Sequence, residues 1–213
     1  MIVIIDYNMG NIFSVQKRLE KLNQEFIVSA DPAVIANANR LILPGVGHFA
    51  VAMDNLRTSG LIEVLNRAVL IDKVPILGIC LGMQLMCAFS EEGDCEGLGW
   101  FDAKVVKFKF EDTLRFKVPH TGWNQIHISK KSQLMIDIPE GSYFYFVHSY
   151  FLKLNEETDQ LNFTSHEYNF TSAIEKENIY GVQYHPEKSH DIGLQLLKNF
   201  ITCKSEMDFR AEG

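Results

Sequence analysis

The stretch Pro75-Ile-Leu-Gly-Ile-Cys80-Leu-Gly-Met-Gln84 joins an apolar strand signal directly to a helical pattern. Cys80 lies at the join, with Gly78 and Gly82 two residues before and after it. This is the pattern of a nucleophile elbow, whose tight turn projects a reactive side chain at the carboxyl edge of a sheet. The amide N–H of Leu81 would then be available to hold an oxyanion. The alternative is that Cys80 is a small buried apolar residue, the usual state of a free cysteine.

Outward from the elbow, strand and helix signals alternate through the first half of the chain. A β-α-β-α order predicts a parallel sheet with helices on both faces. The predicted strands of this half are Met1–Ile5, Phe26–Ser29, Arg40–Leu43 and Val74–Ile79. The predicted helices are Ile12–Leu22, a short turn or helix from Asp31, two pieces within Phe49–Leu70 divided at Ser59 and Gly60, and Leu81–Phe89.

The second half is rich in short segments of β-branched and aromatic residues, which predict further strands, some of them antiparallel. These segments are Val105–Phe110, Gln125–Ser129, Ser142–Val147, Phe151–Leu154, Asn162–Ser165, Thr171–Glu175 and Ile179–Tyr184. An amphipathic helix over Ile192–Ile201 follows them. We therefore predict a single α/β domain over residues 1–201, with a mixed, mostly parallel central sheet flanked by helices, and a polar C-terminal tail over residues 202–213.

The composition narrows the class of protein. The 213 residues are 46% hydrophobic and carry a formal charge of −7 without a basic stretch, which argues against nucleic acid and membrane as partners. No apolar run approaches the ~20 residues of a membrane span. The four cysteines form no C-x-x-C pair and no disulfide framework. We expect a cytoplasmic protein that needs no metal and no cofactor.

A second motif, His185-Pro186-Glu187, follows a predicted strand. A cysteine nucleophile needs a base that takes its proton and later gives a proton to the leaving group, and the base needs a third group to orient it. His185 and Glu187 can fill these two roles if they lie beside Cys80. His120, His127 and His166 carry no such signal, and we interpret them as surface or structural residues.

A glycine-containing loop, Pro44-Gly45-Val46-Gly47, follows the third predicted strand. It is neither a dinucleotide-binding loop nor a P-loop. Near a cysteine elbow, its backbone N–H groups could supply a second oxyanion donor. Taken alone, it could equally be an ordinary turn at the end of a strand.

Together, these three motifs resemble the class I (triad) glutamine amidotransferases in order and spacing. The similarity is greatest to the branch that supplies ammonia to a cyclase of histidine biosynthesis, and it extends to about Ile201. The segments that carry this closer similarity are Asp6–Asn11, Pro119–Asn124, Tyr143–Tyr150 and His185–Ser189.

The resemblance implies a role for each matching residue. Cys80 would attack the side-chain amide of glutamine, His185 would act as base and acid, and Glu187 would orient it. Leu81 and the segment Gly45, Val46 and Gly47 would form the oxyanion hole, the latter after a peptide flip. Glutamine would be held by Gln84, Glu92 and the backbone at His148, Ser149 and Tyr150. Asn11, Trp123 and Lys188 would face a synthase (cyclase) subunit, in a heterodimer with an ammonia tunnel.

Several alternatives remain open at this point. Thr121 replaces the methionine usual in this branch, and Asp6–Met9 and Lys188–Gly193 resemble a paralogous branch that supplies ammonia to a surface-sugar amidotransferase. The chain could instead be a stand-alone cysteine hydrolase or an idle regulatory module. The complete set of Cys80, His185 and Glu187 argues against an idle module.

Overall fold

The computed structural model describes residues 1–203, so most of the predicted tail, residues 204–213, lies outside the described residues. The helices are α1 Ile12–Lys21, α2 Pro32–Ala36, α3 Phe49–Thr58, α4 Leu61–Asn66, α5 Leu81–Leu85 and α6 His190–Thr202. A π-helical turn, Arg67–Ile71, extends α4, and 3-10 turns cover Gln133–Met135, Glu157–Asp159 and Pro186–Lys188.

Fourteen strands are found in the described residues. They are β1 Ile2–Ile5, β2 Phe26–Ser29, β3 Arg40–Gly45, β4 Ile76–Cys80, β5 Cys87–Ser90, β6 Cys95–Glu96, β7 Phe101–Lys107, β8 His120–Gln125, β9 His127–Ile128, β10 Tyr143–His148, β11 Tyr150–Leu154, β12 Gln160–Ser165, β13 Asn169–Lys176 and β14 Ile179–Val182. Twelve of them form one mixed sheet in the order β2-β1-β3-β4-β14-β13-β11-β7-β5-β6, with β12 and β9 beyond β13. The predicted α/β fold with a mixed central sheet is confirmed.

Alternation along β1 shows how the sheet is covered on both faces. Val3 and Ile5 belong to a core shared with the buried residues of α2 to α5. Ile2 and Ile4 belong to a second core, shared with α1 and α6. All four side chains are at most 6% exposed. A strand buried on both faces reads as a continuous apolar run, which is why this one was recognisable.

The half of the sheet from β2 to β14 is parallel, and its carboxyl edge gathers the three sequence motifs. In the register of β3 and β4, Gly45 lies opposite Cys80. In the register of β4 and β14, Val182 lies opposite Ile79, so the chain after β14 carries His185 to the same edge. Ligands of open α/β sheets bind at this edge.

The predicted helix Leu81–Phe89 is wrong beyond Leu85. The carbonyl oxygens of Leu85 and Met86 accept hydrogen bonds from Leu98 and Trp100 rather than continuing a helix. Cys87–Ser90 instead pairs in parallel with β7. Apolar residues in an unbroken run fit either a helix or a buried strand, and pairing with a distant segment decided between them.

Strands β8 and β10 form a separate antiparallel ribbon, in which His148 lies opposite His120 and Tyr145 opposite Trp123. The sequence predicted a strand at Gln125–Ser129 but did not predict β8, most of which lies before that segment. At the other end of the chain, α6 continues to Thr202. Among the described residues, none of the helices is both long and apolar enough to cross a bilayer.

Candidate active site

The elbow lies where β4 ends at Cys80 and α5 begins at the next residue. Cys80 has φ 55° and ψ −109°, a conformation that a residue with a side chain adopts only under strain. The flanking glycines permit close packing there. A Cβ atom on Gly78 would lie 2.7 Å from the backbone nitrogen of Met83, and one on Gly82 would overlap the carbonyl oxygen of Leu43. Helix α5 has only five residues, so its dipole is small. The geometry of the turn therefore contributes more than the helix dipole to the environment of Cys80.

A histidine and a carboxylate lie buried beside the thiol. Nδ1 of His185 lies 2.7 Å from Oε1 of Glu187, and the two residues are 1% and 4% exposed. Burial alone would lower the pKa of His185. The charge of Cys80 and hydrogen bonds to Cys80 and Glu187 outweigh burial and raise that pKa from 6.5 to about 10. The imidazole of His185 is therefore protonated at neutral pH.

The two nitrogens of His185 have different surroundings. Because Nδ1 is bound to Glu187, Nε2 is the nitrogen left for Cys80, and it has no other hydrogen-bond partner among residues 1–203. A base held by a carboxylate on one side and open to the nucleophile on the other can move protons to and from the reacting atoms.

The turn that carries Glu187 is fixed from outside by α1. The guanidinium Nε of Arg18 donates to the backbone carbonyl of Glu187 at 2.9 Å. Sequence reasoning did not find Arg18, and no motif marks it, because its partner is a main-chain oxygen 169 positions along the chain. The second carboxylate oxygen of Glu187 is buried and has no hydrogen-bond partner in the described part of the chain.

A cavity of about 310 Å³ opens over the thiol, a size that suits a small metabolite. It brings together nine of the predicted site residues. They are Val46, Gly47, Cys80, Leu81, Gln84, Glu92, His148, Ser149 and Tyr150, joined by Pro119 and Val147. Gly45 is not part of the lining. A Cβ atom there would lie 2.6 Å from the Tyr7 hydroxyl, so its small size serves packing behind the elbow.

Two polar side chains of the lining are held by the protein itself. Oε2 of Glu92 accepts the backbone N–H of Phe49 at 2.9 Å, which fixes the carboxylate at the cavity. Nε2 of Gln84 donates to the carbonyl of Tyr150 at 3.1 Å and to Oε1 of Gln183 at 2.9 Å. Both amide hydrogens of Gln84 are thereby used, so its amide oxygen is the polar atom it can offer to a ligand.

The segment 148–150 is anchored by a chain of buried rings. Nδ1 of His148 lies 2.7 Å from the carbonyl oxygen of Tyr150, which can only accept, so this nitrogen carries the proton. Nε2 of His148 then accepts from Nδ1 of His120 at 3.0 Å, and Nε2 of His120 accepts from Asn124 at 3.2 Å. Burial is the main cause that lowers the pKa of His120 to about 4 and that of His148 to about 3. Both rings are neutral at pH 7, in keeping with a structural role for His120.

Two of the predicted partner-facing residues share an aromatic cluster at the surface. Trp123 is 45% exposed and stacks on the ring of His190, with ring centroids 4.9 Å apart. Nζ of Lys188 lies 5.8 Å from the ring centroid of Tyr145, which also contacts Trp123 edge to face. The third, Asn11, caps α1 by accepting the backbone N–H of Ser14. Its side chain therefore has a local structural role.

Within residues 1–203, no group of three or more His, Cys, Asp or Glu side chains is arranged to hold a metal ion. The groups that meet at the cavity are instead a thiol, an imidazole, carboxylates and backbone amides, which are suited to acyl transfer.

Comparison with known proteins agrees with this chemistry. The family model for class-I glutamine amidotransferases matches residues 3–203. Imidazole glycerol phosphate synthase subunit HisH 2 of Methanococcus maripaludis is 50% identical over 201 residues, which cover 94% of this chain and 98% of that one. The HisH subunit of Sulfurimonas denitrificans is 49% identical over 209 residues, with 96% and 99% covered.

Solved structures show the same fold at low sequence identity. A crystal structure of a glutamine amidotransferase has a TM-score of 0.72 at 15% identity, with 94% of this chain and 99% of that one covered. A glutamine amidotransferase of Thermotoga maritima has a TM-score of 0.63 at 17% identity, with 99% and 82% covered. These likenesses concern the fold alone, whereas the family model and the relatives span nearly the whole chain. The chain belongs to the class I glutamine amidotransferase family.

Proposed function

We propose that the chain is the glutaminase subunit of an imidazole glycerol phosphate synthase. It hydrolyses glutamine to glutamate and ammonia and passes the ammonia to a cyclase subunit in histidine biosynthesis. The observation that carries the activity is the buried His185–Glu187 pair beside Cys80, which itself lines a cavity of metabolite size. The identity of 49–50% to two HisH subunits over nearly their full length supports the pathway. We expect the enzyme to work in the cytoplasm.

The first half of the reaction makes a thioester. The Cys80 thiolate attacks the side-chain carbonyl carbon of glutamine, and the carbonyl electrons move onto oxygen. The backbone N–H of Leu81 and a donor from the Val46–Gly47 loop hold the oxyanion, and losing one such donor typically costs ~10²–10³ in rate. When the C–N bond breaks, Nε2–H of His185 gives its proton to the departing nitrogen, and ammonia is released.

The second half returns the enzyme to its starting state. A water molecule gives a proton to Nε2 of His185 and attacks the thioester carbon. The C–S bond then breaks, the sulfur leaves as a thiolate, and the carboxylic acid so formed loses its proton to water and departs as glutamate. Glu187 stabilises the imidazolium that exists before acylation and after deacylation.

Substrate selection rests on polar groups around the cavity. Glu92 presents a fixed carboxylate to the ammonium group of glutamine, and the amide oxygen of Gln84 accepts a further N–H. The backbone of His148, Ser149 and Tyr150 lies along the same wall. This arrangement fits a small amino acid.

The partner is a cyclase subunit that docks over Trp123, Lys188 and the neighbouring start of α1 at Asn11. Ammonia released into water near neutral pH would be protonated and would lose its nucleophilicity, so an enclosed tunnel to the partner is needed. Docking would also complete the oxyanion hole by rotating the backbone at Gly47, which has φ 115° and so has the freedom of a glycine. The isolated chain would then waste little glutamine.

Glutamate release tests the proposal. It is measured for the chain alone, with a histidine-pathway cyclase, and with that cyclase plus its ribonucleotide substrate. We expect stepwise stimulation. Full activity of the isolated chain would reject the coupling and favour a stand-alone hydrolase.

A paralogous function differs only in the acceptor. Thr121 is exposed on β8 near Trp123. The position that departs from the usual pattern therefore lies on the surface where a different partner subunit would bind. If a surface-sugar amidotransferase stimulates glutamate release and the histidine cyclase does not, the acceptor is the sugar.

A further inference from the structure

A chain of amide groups runs beneath the cavity from the carbonyl of Tyr150 to the sulfur of Cys80. Nε2 of Gln84 bridges the Tyr150 carbonyl oxygen and Oε1 of Gln183, at 3.1 and 2.9 Å. Nε2 of Gln183 lies 3.5 Å from Sγ of Cys80, within reach of an N–H···S hydrogen bond. Gln84 and Gln183 are 5% and 0% exposed, so water does not compete for these groups.

The direction of hydrogen bonding along this row of amide groups is fixed by the carbonyl of Tyr150. A backbone carbonyl can only accept, so the Gln84 atom that faces Tyr150 must be the NH₂ group. The same NH₂ group faces Gln183, and the atom of Gln183 that receives its second hydrogen must therefore be the amide oxygen. This leaves the NH₂ group of Gln183 directed at the sulfur of Cys80.

A donor directed at this sulfur favours its ionised state. A hydrogen bond to a charged acceptor is about twice as strong as one between neutral groups. The sulfur also lies 3.9 Å from the carbonyl oxygen of Val147, which can interact favourably only with a protonated thiol. Gln183 thus opposes the effect of the Val147 carbonyl, which would retain the proton on Cys80.

We propose that Gln183 is a catalytic residue that donates its amide N–H to the Cys80 thiolate, before attack and again when the thioester breaks. The inference rests on the proposed role of Cys80 as nucleophile. During attack, the sulfur loses its charge to the new C–S bond and the hydrogen bond weakens. When water has added to the thioester and the C–S bond breaks, the electron pair returns to the sulfur. The hydrogen bond from Gln183 then stabilises the negative charge on the thiolate again. Gln84 is the positioning residue that keeps Gln183 in this orientation.

The sulfur itself can be assayed without turnover. The rate of Cys80 alkylation by iodoacetamide is followed against pH by peptide mass spectrometry in the wild type and in Gln183→Met, which keeps the side-chain length and removes the donor. We expect the midpoint of the alkylation profile to move up by about one pH unit, since the thiolate loses a charged hydrogen bond. Glutaminase kcat falls about 10-fold with KM within about two-fold.

Asn199→Leu is the matched control, because Asn199 is a buried amide that donates to the carbonyls of Leu134 and Ile136, away from the sulfur. It should lower the unfolding midpoint and leave the alkylation profile unchanged. Gln183→Glu is a second variant, used also if the methionine variant does not fold. It places an acceptor at the same distance and should move the midpoint further in the same direction.

An unchanged alkylation midpoint in a folded Gln183 variant would overturn the assignment, whatever the glutaminase rate. The failure of the proposed function looks different, since Cys80→Ala would then retain glutaminase activity. A shifted midpoint together with an inactive Cys80→Ala variant supports both inferences.

Discussion

The backbone N–H of His185 donates a hydrogen bond to the carbonyl oxygen of Tyr145 at 2.8 Å. Tyr145 lies opposite Trp123 in the β8–β10 ribbon, and the hydroxyl of Ser189 holds the N–H of the same Tyr145 at 3.0 Å. The proposed base is therefore one main-chain hydrogen bond away from the exposed aromatic cluster. A subunit that contacts Trp123 would therefore bind next to strand β10, which holds the backbone of His185 through a hydrogen bond.

Trp123→Ala should reduce the stimulation of glutamate release by the cyclase at least about 10-fold, because a large aromatic at the centre of an interface contributes disproportionately to binding. The measurement is glutamate release at increasing cyclase concentration. Ile71→Ala is the control, since Ile71 is 74% exposed and lies before β4, at the edge of the sheet opposite the elbow. Equal stimulation of Trp123→Ala and wild type would place the partner elsewhere.

Cys80→Ala should abolish glutaminase activity, a loss that can reach ~10⁶ for a triad nucleophile. A glutamine-mimicking electrophile should add its mass to the peptide containing Cys80 and to no other. Burial raises the pKa of Cys87, and burial together with Asp54 raises that of Cys95, so neither thiol is activated. Labelling of Cys87 or Cys95 in place of Cys80 would contradict the assignment.

His185→Ala should be nearly as damaging as loss of the nucleophile, because both proton transfers pass through Nε2. Glu187→Gln should cost less, since the residue orients His185 and stabilises its charge without touching the substrate. With this carboxylate neutralised, the pKa of His185 should fall and the alkaline limb of the pH–rate profile should move to lower pH. Activity of His185→Ala equal to that of the wild type would reject the triad.

The elbow and the His-Pro-Glu motif were readable from sequence because each is a local pattern whose geometry depends on neighbouring residues. Gly78, Gly82 and the buried strand β4 show this directly, since the strained turn needs small residues at those two places. Residues that act across the fold were not readable. Arg18 and Gln183 reach their partners over 169 and 103 positions, and neither belongs to a spacing that a single sequence reveals.

The helix predicted over Leu81–Phe89 failed for a related reason. An apolar run carries no information about which backbone groups will be claimed by a distant segment. Here Trp100 and its neighbours took the carbonyls after Leu85, and pairing with β7 made a strand of Cys87–Ser90. The sequence of this segment is compatible with both a helix and a strand, and pairing with β7 selected the strand.

The buried histidine chain makes a prediction for acid stability. The folded pKa values of His120 and His148, about 4 and about 3, lie below the unfolded value of 6.5. As the pH falls below 6.5, the unfolded chain binds protons that the folded chain refuses, so each ring removes up to ~1.4 kcal/mol of stability per pH unit, down to its folded pKa. Urea unfolding between pH 7 and 4 measures this slope.

His120→Asn should make that slope shallower by up to ~1.4 kcal/mol per pH unit while lowering stability at pH 7, where a buried hydrogen bond is lost. His127→Gln is the control, because His127 is partly exposed and lies at the surface beside Glu140. An identical slope in His120→Asn and wild type would show that His120 takes up its proton in the folded state as readily as in the unfolded state.

Arg18→Met isolates the support of Glu187 from its chemistry. The side chain of Arg18 holds the backbone carbonyl of Glu187, so its loss should loosen the turn Pro186–Lys188 and let the carboxylate drift from Nδ1 of His185. We expect kcat to fall about 10-fold and stability to fall by ~1.5–3 kcal/mol, the usual contribution of a hydrogen bond with a charged donor. Steady-state glutamate release and urea unfolding measure the two effects.

Lys17→Met is the matched control for this prediction. Lys17 is the preceding residue on α1, and its only ion pair in residues 1–203 is with Glu20, with both side chains about half exposed. Exposed pairs of this kind contribute ~0–1 kcal/mol. The control should therefore retain full activity with little change in stability. If Arg18→Met and Lys17→Met behave alike, α1 does not position the triad, and the hydrogen bond to Glu187 is a packing detail of the surface.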